Sequence, residues 1–421
     1  SPPRGMRAVL PAEVALRDWA MAQILAVYRR HGFVRIETPP VESLRLLLRS
    51  DGGENQKLIF KILKRGEKLS TAGHRDDLAD LGLRFDLTVP LVRYYAQNHA
   101  RLPQPLKAIQ IGPVWRAERP QQGRYRQFTQ CDIDILGVGS EVAEIELILA
   151  TTEALTALGL KDLTVRLNDR RLLGALVAHC GFDVARAGSV FIGLDKLDKI
   201  GREGVAEELR AAGHPPSAIE RLLDVLGSSA TPEALRSWLG SAADDVVWRG
   251  LQRILDTVEA QAAGRFRLAF DATLVRGMGY YTGPIFEIQH GDSTSSIAGG
   301  GRYDRMVGRF TGRDVPATGF SIGFERVVGI LMERGPSAEA DPERVALVFD
   351  EAMPALGPVL NLARDLREQG RHVLLEARTK RLGKQLQDLE ARGFRRIGVV
   401  GPDGMIEWRA PRTGGAGETT Q

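Results

Sequence analysis

Arginines at positions 116, 119, 124 and 126 stand among Trp115, Tyr125 and Phe128, and Gln130, Asp132 and Asp134 follow at every second residue. Guanidinium groups present a planar fork of donors that suits phosphate oxygens. A hairpin carrying several of them can grip a nucleotide, and an exposed, solvated hairpin can hold the same residues at little cost. Residues two apart on a strand share a face. Gln130, Asp132 and Asp134 therefore form one polar face, with Cys131 pointing the other way. That face either lines a ligand pocket or meets solvent, because buried polar groups without partners are costly.

Other candidate residues lie in short glycine-rich stretches. Asp86, in RFDLTVP, either caps a helix starting at Thr88 or holds a ligand ammonium. LVRGMGYYTGP sets Arg276 beside Gly277 and Gly279, followed by Tyr280 and Tyr281, which reads as a close backbone approach to a ligand or as a turn packed by tyrosines. Gly299, Gly300 and Gly301 precede Arg302 and Asp304, again either a close approach or a plain turn with the charged pair at its solvated end. GFSIGFERVVGI places Glu325 and Arg326 at a helix start, where burying Arg326 requires an anion or a carboxylate partner. The sequence has neither a phosphate-binding G-x-x-x-x-G-K-[ST] loop nor a G-x-G-x-x-G fingerprint, and no zinc-ligand spacing occurs.

These residues need a scaffold, and 421 residues suffice for two or three domains. Apolar residues make up 43% and charged residues 26%, an ordinary globular balance. The formal charge of +4 permits a polyanionic partner without demanding one. Two cysteines exclude a disulfide scaffold and favour a reducing compartment. The sequence reads without a signal peptide or membrane span, so a cytoplasmic protein is expected.

Helical spacing runs through ALRDWAMAQILAVYRRHG and EVAEIELILATTEALTALG. LKAIQIGPVWRAE and TQCDIDILG are expected to pair antiparallel across the arginine-rich connection. Residues 165–255 change character and predict a mostly helical insertion. It separates residues 1–164 from residues 256–334, which together predict one antiparallel-sheet domain. Residues 335–342 read as a linker. Strands and helices then alternate within residues 343–421, which predicts a compact α/β domain and a polar tail. The fold class is α+β.

The order of these segments resembles the histidyl-tRNA synthetase family of class II aminoacyl-tRNA synthetases over nearly the whole chain. RIETPPVE, WRAERPQQGRYRQF and GFSIGFERV look like the three class motifs, the first of which contributes to a dimer interface. LVRGMGYYTGPIFE and AGGGRYD resemble the two signatures of the histidyl branch and are the more specific evidence. The resemblance implies an ATP-dependent ligase. It would activate L-histidine and transfer it to tRNA(His), with Mg²⁺ accompanying ATP and a homodimer as the working assembly. It implies that residues 165–255 approach the tRNA acceptor arm and that residues 343–421 bind the anticodon. Arg116 would contact the ATP α-phosphate, Glu118 the adenine side, and Arg124 and Arg326 the outer phosphates. Arg276 would lie against the α-phosphate and the histidine carboxylate, making Arg116 and Arg276 the catalytic cations. Asp86 and Gln130 would bind the α-amino and carboxylate ends, and Asp134 and Tyr281 the imidazole, with Tyr280 supporting the pocket. The family often has glutamate where Asp86 and Asp134 stand, and an acidic or small residue in place of Gly279. A second reading is a non-catalytic synthetase-like regulatory subunit of ATP phosphoribosyltransferase. Such subunits usually lack the anticodon domain and several ATP-binding arginines, whereas this sequence has Arg116, Arg276, Arg326 and the extra segment.

Overall fold

The computed structural model describes residues 1–49, 57–70, 73–120, 124–228, 231–276, 281–291, 295–334, 344–401 and 403–409. The chain divides into two units, Ser1–Arg334 and Gly335–Gln421. The expected linker at 335–342 lies outside the described residues, as do Gly279 and Tyr280.

The first unit opens with helix α1 (Pro11–Arg30), which carries proline in its first turn, where no amide donor is missed. The segment after it splits around its two prolines into strands β1 (Val34–Arg35) and β2 (Val41–Ser43), which join different sheets. Proline cannot donate to a ladder, so a single continuous strand is not available there. Helix α2 (Leu44–Arg49), strand β3 (Lys61–Leu63), helix α3 (Glu67–Ser70) and strand β4 (Ala79–Leu83) follow. Strands β2, β4 and β3 form a small antiparallel sheet. Helix α4 (Thr88–Asn98) starts where Asp86 Oδ1 accepts the Val89 amide at 3.1 Å, so the capping reading of Asp86 holds.

Strands β5 (Leu106–Trp115) and β6 (Gln127–Leu136) pair antiparallel over ten unbroken registers, as their sequences predict. Helix α5 (Val142–Ala157) leads to strand β7 (Leu163–Asp169). β7 pairs with two strands of the main sheet, so the first residues of the segment 165–255 belong to the sheet and helices begin only at Arg170. Those helices are α6 (Arg170–Cys180), α7 (Ala187–Leu194), α8 (Leu197–Ala211), α9 (Pro216–Ser228), α10 (Pro232–Leu239) and α11 (Asp245–Ala262). Their boundaries are written in side-chain caps: Asp169 accepts the Arg171 amide, Thr231 that of Ala234, and Asp244 that of Val246.

The sheet resumes with β8 (Arg267–Phe270), β9 (Pro284–His290) and β10 (Ser296–Arg302). Helix α12 (Arg305–Thr311), strand β11 (Ala317–Gly323) and helix α13 (Phe324–Glu333) complete the unit. The eight strands run in the order β1-β5-β6-β11-β10-β9-β7-β8, antiparallel except at the two outermost pairs. Period-two alternation decides the faces. Cys131, Ile133 and Ile135 of β6 enter the main core with Leu147 and Ile148 of α5 and Ile24 of α1. Gln130, Asp132 and Asp134 point to the opposite face.

Of the two readings of the Gly299 triplet, the close approach holds and the turn does not: the glycines are the middle of β10, where Arg276 lies against Gly299, and Arg302 is not at a solvated end. Arg302 is buried, its Nε and Nη2 reaching the Glu144 carboxylate at 2.6 and 2.8 Å and its Nη groups the carbonyls of Val138 and Ser140. A guanidinium enters a core only when its donors are met in this way.

The second unit contains strands β12 (Arg344–Phe349), β13 (His372–Ala377), β14 (Arg396–Val400) and β15 (Ile406–Arg409), with helices α14 (Gly357–Glu368) and α15 (Leu382–Ala391). Its strand order is β13-β12-β14-β15. Val345 and Leu347 pack against Val359, Ala363 and Leu366 of α14, while Ala346 and Val348 pack with Leu386 and Leu389 of α15. The continuous apolar run of β12 is thus explained by a helix on each face. Among the described residues no helix is long and apolar enough to cross a membrane.

Candidate active site

The polar face of the eight-stranded sheet floors a cavity of about 470 Å³. Its residues fall into cross-strand rows. One row runs Gln110, Asp132, Ser321, Gly299, Glu287 and Arg166 through β5, β6, β11, β10, β9 and β7. The next runs Asp134, Gly319, Gly301 and Ile285. Of the residues singled out in the sequence, the cavity brings together Asp86, Arg116, Glu118, Arg124, Gln130, Asp132, Asp134, Arg276, Tyr281, Glu325 and Arg326.

The four arginines around Trp115, Tyr125 and Phe128 do not all converge. Arg116 donates through Nε to the Phe85 carbonyl at 3.0 Å, and its guanidinium lies 5.0 Å from the Phe128 ring centre, which fixes its head at the cavity. Arg124 pairs with Glu118. Arg126 instead donates to the carbonyls of Glu118 and Arg4, and Arg119 is an exposed side chain that does not line the cavity. Backbone acceptors thus take up one arginine that composition alone assigns to an anion.

Arg276 crosses the face of β10. Its Nη1 meets Glu287 Oε1 at 2.5 Å, and a Cβ at Gly299 would collide with its guanidinium. Gly319 serves Asp134 in the same way, since a Cβ there would strike Asp134 Oδ1. Arg326 donates to the Ser296 carbonyl, and burial holds its guanidinium below the usual arginine range. Glu325, the residue before Arg326, turns elsewhere. It takes both ends of Arg17 at 2.6 and 2.8 Å and the Thr129 amide at 3.1 Å, binding α13 to α1 and β6.

The acidic floor has unusual titration. Burial pushes the Asp134 carboxyl up to about 7 against the opposing hydrogen bond from the Tyr303 hydroxyl, which donates to Oδ1 at 2.5 Å. Burial and then the neighbouring Asp134 charge push Asp132 well above the ordinary carboxylate range. Gln130 Nε2 donates to Ser321 Oγ at 3.0 Å. Gln130 Oε1, Asp132 Oδ1 and Asp134 Oδ2 are buried acceptors that no donor among the described residues reaches. Three such acceptors on alternate residues of one strand are costly unless a ligand brings donors.

Sequence reasoning missed Tyr303, Ser321 and Glu287, each of which lines the cavity. Tyr303 adjoins the quoted Arg302, Ser321 stands between Phe320 and Ile322, and Glu287 between Phe286 and Ile288, so a polar residue flanked by buried apolar ones was a signal present in the sequence. Nothing in the sequence points to Leu194, Asp195, Asp198 and Lys199 of the α7–α8 segment, which close one side of the cavity. Asp198 reaches Arg166 at 3.4 Å, and Arg166 is held chiefly by Asp271. Among the described residues no cluster of three His, Cys, Asp or Glu side chains offers a metal cage.

The chain resembles known proteins over most of its length. A family model described as histidyl-tRNA synthetase matches residues 5–327. A histidine–tRNA ligase of Leifsonia xyli subsp. xyli is 50% identical over 417 residues, 96% of each chain. The crystal structure of histidyl-tRNA synthetase from Nostoc sp. PCC 7120 superposes with a TM-score of 0.78 at 27% identity, covering 97% of this chain and 96% of that one. A structure from Bacillus halodurans C described as an ATP phosphoribosyltransferase regulatory subunit/histidyl-tRNA synthetase gives a TM-score of 0.75 at 22% identity, over 95% of this chain and 97% of that one. This is a likeness of fold alone.

Proposed function

The chain belongs to the histidyl-tRNA synthetase family, and from that membership we propose how its residues divide the work. It is an ATP-dependent ligase that joins histidine to tRNA. The observation that carries the residue assignment is the convergence of Arg116, Arg276 and Arg326 on one cavity with the buried acceptors of β6.

ATP enters as its magnesium complex. Mg²⁺ would share the negative charge of the leaving pyrophosphate with the arginines that face the outer phosphates. Arg124 and Arg326 hold the outer phosphates, and Glu118 faces the adenine. A histidine carboxylate oxygen attacks the α-phosphorus, the bond to the pyrophosphate oxygen breaks, and pyrophosphate leaves. Negative charge grows on the α-phosphate oxygens. Arg116, fixed by the Phe85 carbonyl and Phe128, and Arg276, fixed by Glu287, meet it without reorganising solvent. Asp86 and Gln130 hold the amino-acid end, and Asp134 and Tyr281 the imidazole, with Tyr280 behind them by family resemblance. The terminal ribose hydroxyl of tRNA(His) then attacks the histidyl carbonyl carbon and AMP leaves. No nucleophilic side chain is used, and Cys131 faces the core.

A homodimer and a cytoplasmic setting belong to the same proposal. Val34, Val41, Leu63 and Leu81, on the first-motif strands and the small sheet beside them, are exposed apolar residues of the kind a partner covers. Both cysteines are free and buried, which suits a reducing compartment. The regulatory-subunit reading is weaker, because this chain has the three cavity arginines and a folded second unit.

Single-turnover assays with ATP and histidine test both the function and the leading role. The native chain forms histidyl-adenylate, and Arg276→Ala slows that step by about 10²-fold or more while histidine affinity changes less. No adenylate from the native chain overturns the function, and a near-native rate in the variant removes Arg276 from the chemistry.

A further inference from the structure

Arg276 is held from two directions, and both lead back to strand β7. Its side chain meets Glu287 of β9, whose cross-strand neighbour on β7 is Arg166. Arg276 over Gly299 of β10, Glu287 on β9 and Arg166 on β7 thus form one row of alternating charge across three adjacent strands. Opposite charges directly across a strand pair attract. Arg166 therefore shares the field of the Glu287 carboxylate, and less of the Arg276 charge is cancelled where the α-phosphate meets it. Without Arg166, Glu287 is left to Arg276 alone.

The backbone of Arg276 is held from the same strand. Residues 271–276 run from the end of β8 to the cavity. Asp271 pairs with Arg166, and its Oδ1 accepts the Thr273 amide at 2.8 Å and the Thr273 hydroxyl at 2.6 Å. Asn168 shares the β7 face with Arg166 and donates to the carbonyls of Ala272 at 3.3 Å and Leu274 at 3.1 Å. Arg166 is thus common to the root of this segment and to the counter-ion of its last residue.

A third contact of Arg166 leaves the sheet. Its Nη1 reaches Asp198 in the first turn of α8 at 3.4 Å. The chain turns at Gly201, whose φ of 69° lies in the region glycine favours, and this sets residues 197–200 apart from the rest of the helix. Leu197, Asp198 and Lys199 line the cavity. The Asp198 side chain is half-exposed and its pair with Arg166 is long, so the contact is readily made and broken.

Resting on the histidine-activating reading, we propose that Arg166 is a positioning residue for Arg276, and that Asp198 is the contact through which the helical segment bears on adenylate formation. Arg166 acts through Asp271 and Glu287, not on the phosphate itself. Asp198 steadies Arg166 when the first turn of α8 lies against the sheet.

Single-turnover adenylate formation with the full chain, at saturating ATP and histidine, reads this in two backgrounds, native and Arg276→Ala. Arg166→Gln slows the native chain about 10-fold with little change in the half-saturating histidine concentration. It leaves the Arg276→Ala chain no slower than before, because the residue it positions is gone. Arg166→Lys keeps a positive charge beside Glu287 and recovers part of the rate. Asp198→Asn slows the native chain about 3-fold and adds nothing to Arg166→Gln. Equal slowing of both backgrounds by Arg166→Gln overturns the assignment and marks a merely structural residue, and so does a native rate in that variant. A native rate in Asp198→Asn overturns the part given to the helical segment. If Arg166→Gln does not fold, the half-exposed Asp198→Asn is carried through the same two backgrounds, where equal slowing overturns the proposal. A native chain that forms no adenylate overturns it together with the reading it rests on.

Discussion

Asp134 carries an energetic cost of burial that the Tyr303 hydroxyl offsets only in part. Its carboxyl titrates near 7 in the fold against an ordinary 3.8, chiefly because it is buried. Between those values the folded chain holds a proton that the unfolded chain has already lost. Stability therefore declines as pH rises from about 4, and the full penalty is present above 7. Roughly three pH units correspond to a penalty on the order of 4 kcal/mol. Asp134→Asn should make the ligand-free protein more stable than the native chain at pH 8, with the gain shrinking steadily toward pH 4. Urea denaturation at several pH values checks this, and a pH-independent difference contradicts it. The alternation that put Gln130, Asp132 and Asp134 on one face was legible because a strand has a period of two and no bulge interrupts β6. Whether that face met solvent or a ligand was not legible, because burial depends on α4, β11 and the α7–α8 segment arriving from elsewhere in the chain.

Elements are held in register by pairs that sequence cannot reveal. The helix α5 and strand β10 were both expected, but the fork of Arg302 on Glu144 joins residues 158 positions apart. The sequence therefore left open whether Arg302 met solvent. The pair ties the helix behind the sheet to the strand that carries Gly299 and Gly301. Glu144→Ala strands a buried guanidinium and should cost about 3–5 kcal/mol. Glu144→Gln, which keeps one acceptor, should cost less. Chemical denaturation followed by tryptophan fluorescence measures both, and a Glu144→Ala variant of native stability shows that the pair does not hold these elements. The strand-to-helix passage at Gly323–Phe324 was legible, since the spacing of apolar residues changes there. The partners of Glu325 were not legible, because Arg17 and the Thr129 amide come from α1 and β6.

At the scale of the whole molecule, activation and tRNA choice should separate. The second unit has its own sheet and cores, and Lys380, Arg381 and Lys384 are exposed near the start of α15, where an RNA backbone is attracted. Glu376 engages Gln385 and Arg392, so part of the acidic character that favoured a merely solvated helix is internally used. The chain ended at Arg334 should still activate histidine while charging of tRNA(His) falls sharply. Circular dichroism and a size measurement must show a folded fragment of native assembly, and undiminished charging removes the second unit from tRNA selection. The boundary between units was legible in the change from an antiparallel to an alternating pattern. The opening of the segment 165–255 passes from β7 of the main sheet into α6 without a break, so its helices begin at Arg170. All of this depends on the cavity activating histidine without tRNA, and ATP–pyrophosphate exchange tests that claim most directly. With Mg²⁺, ATP and labelled pyrophosphate, L-histidine should drive label into ATP well above the rate without amino acid, whereas exchange no faster with histidine than without it would contradict the account.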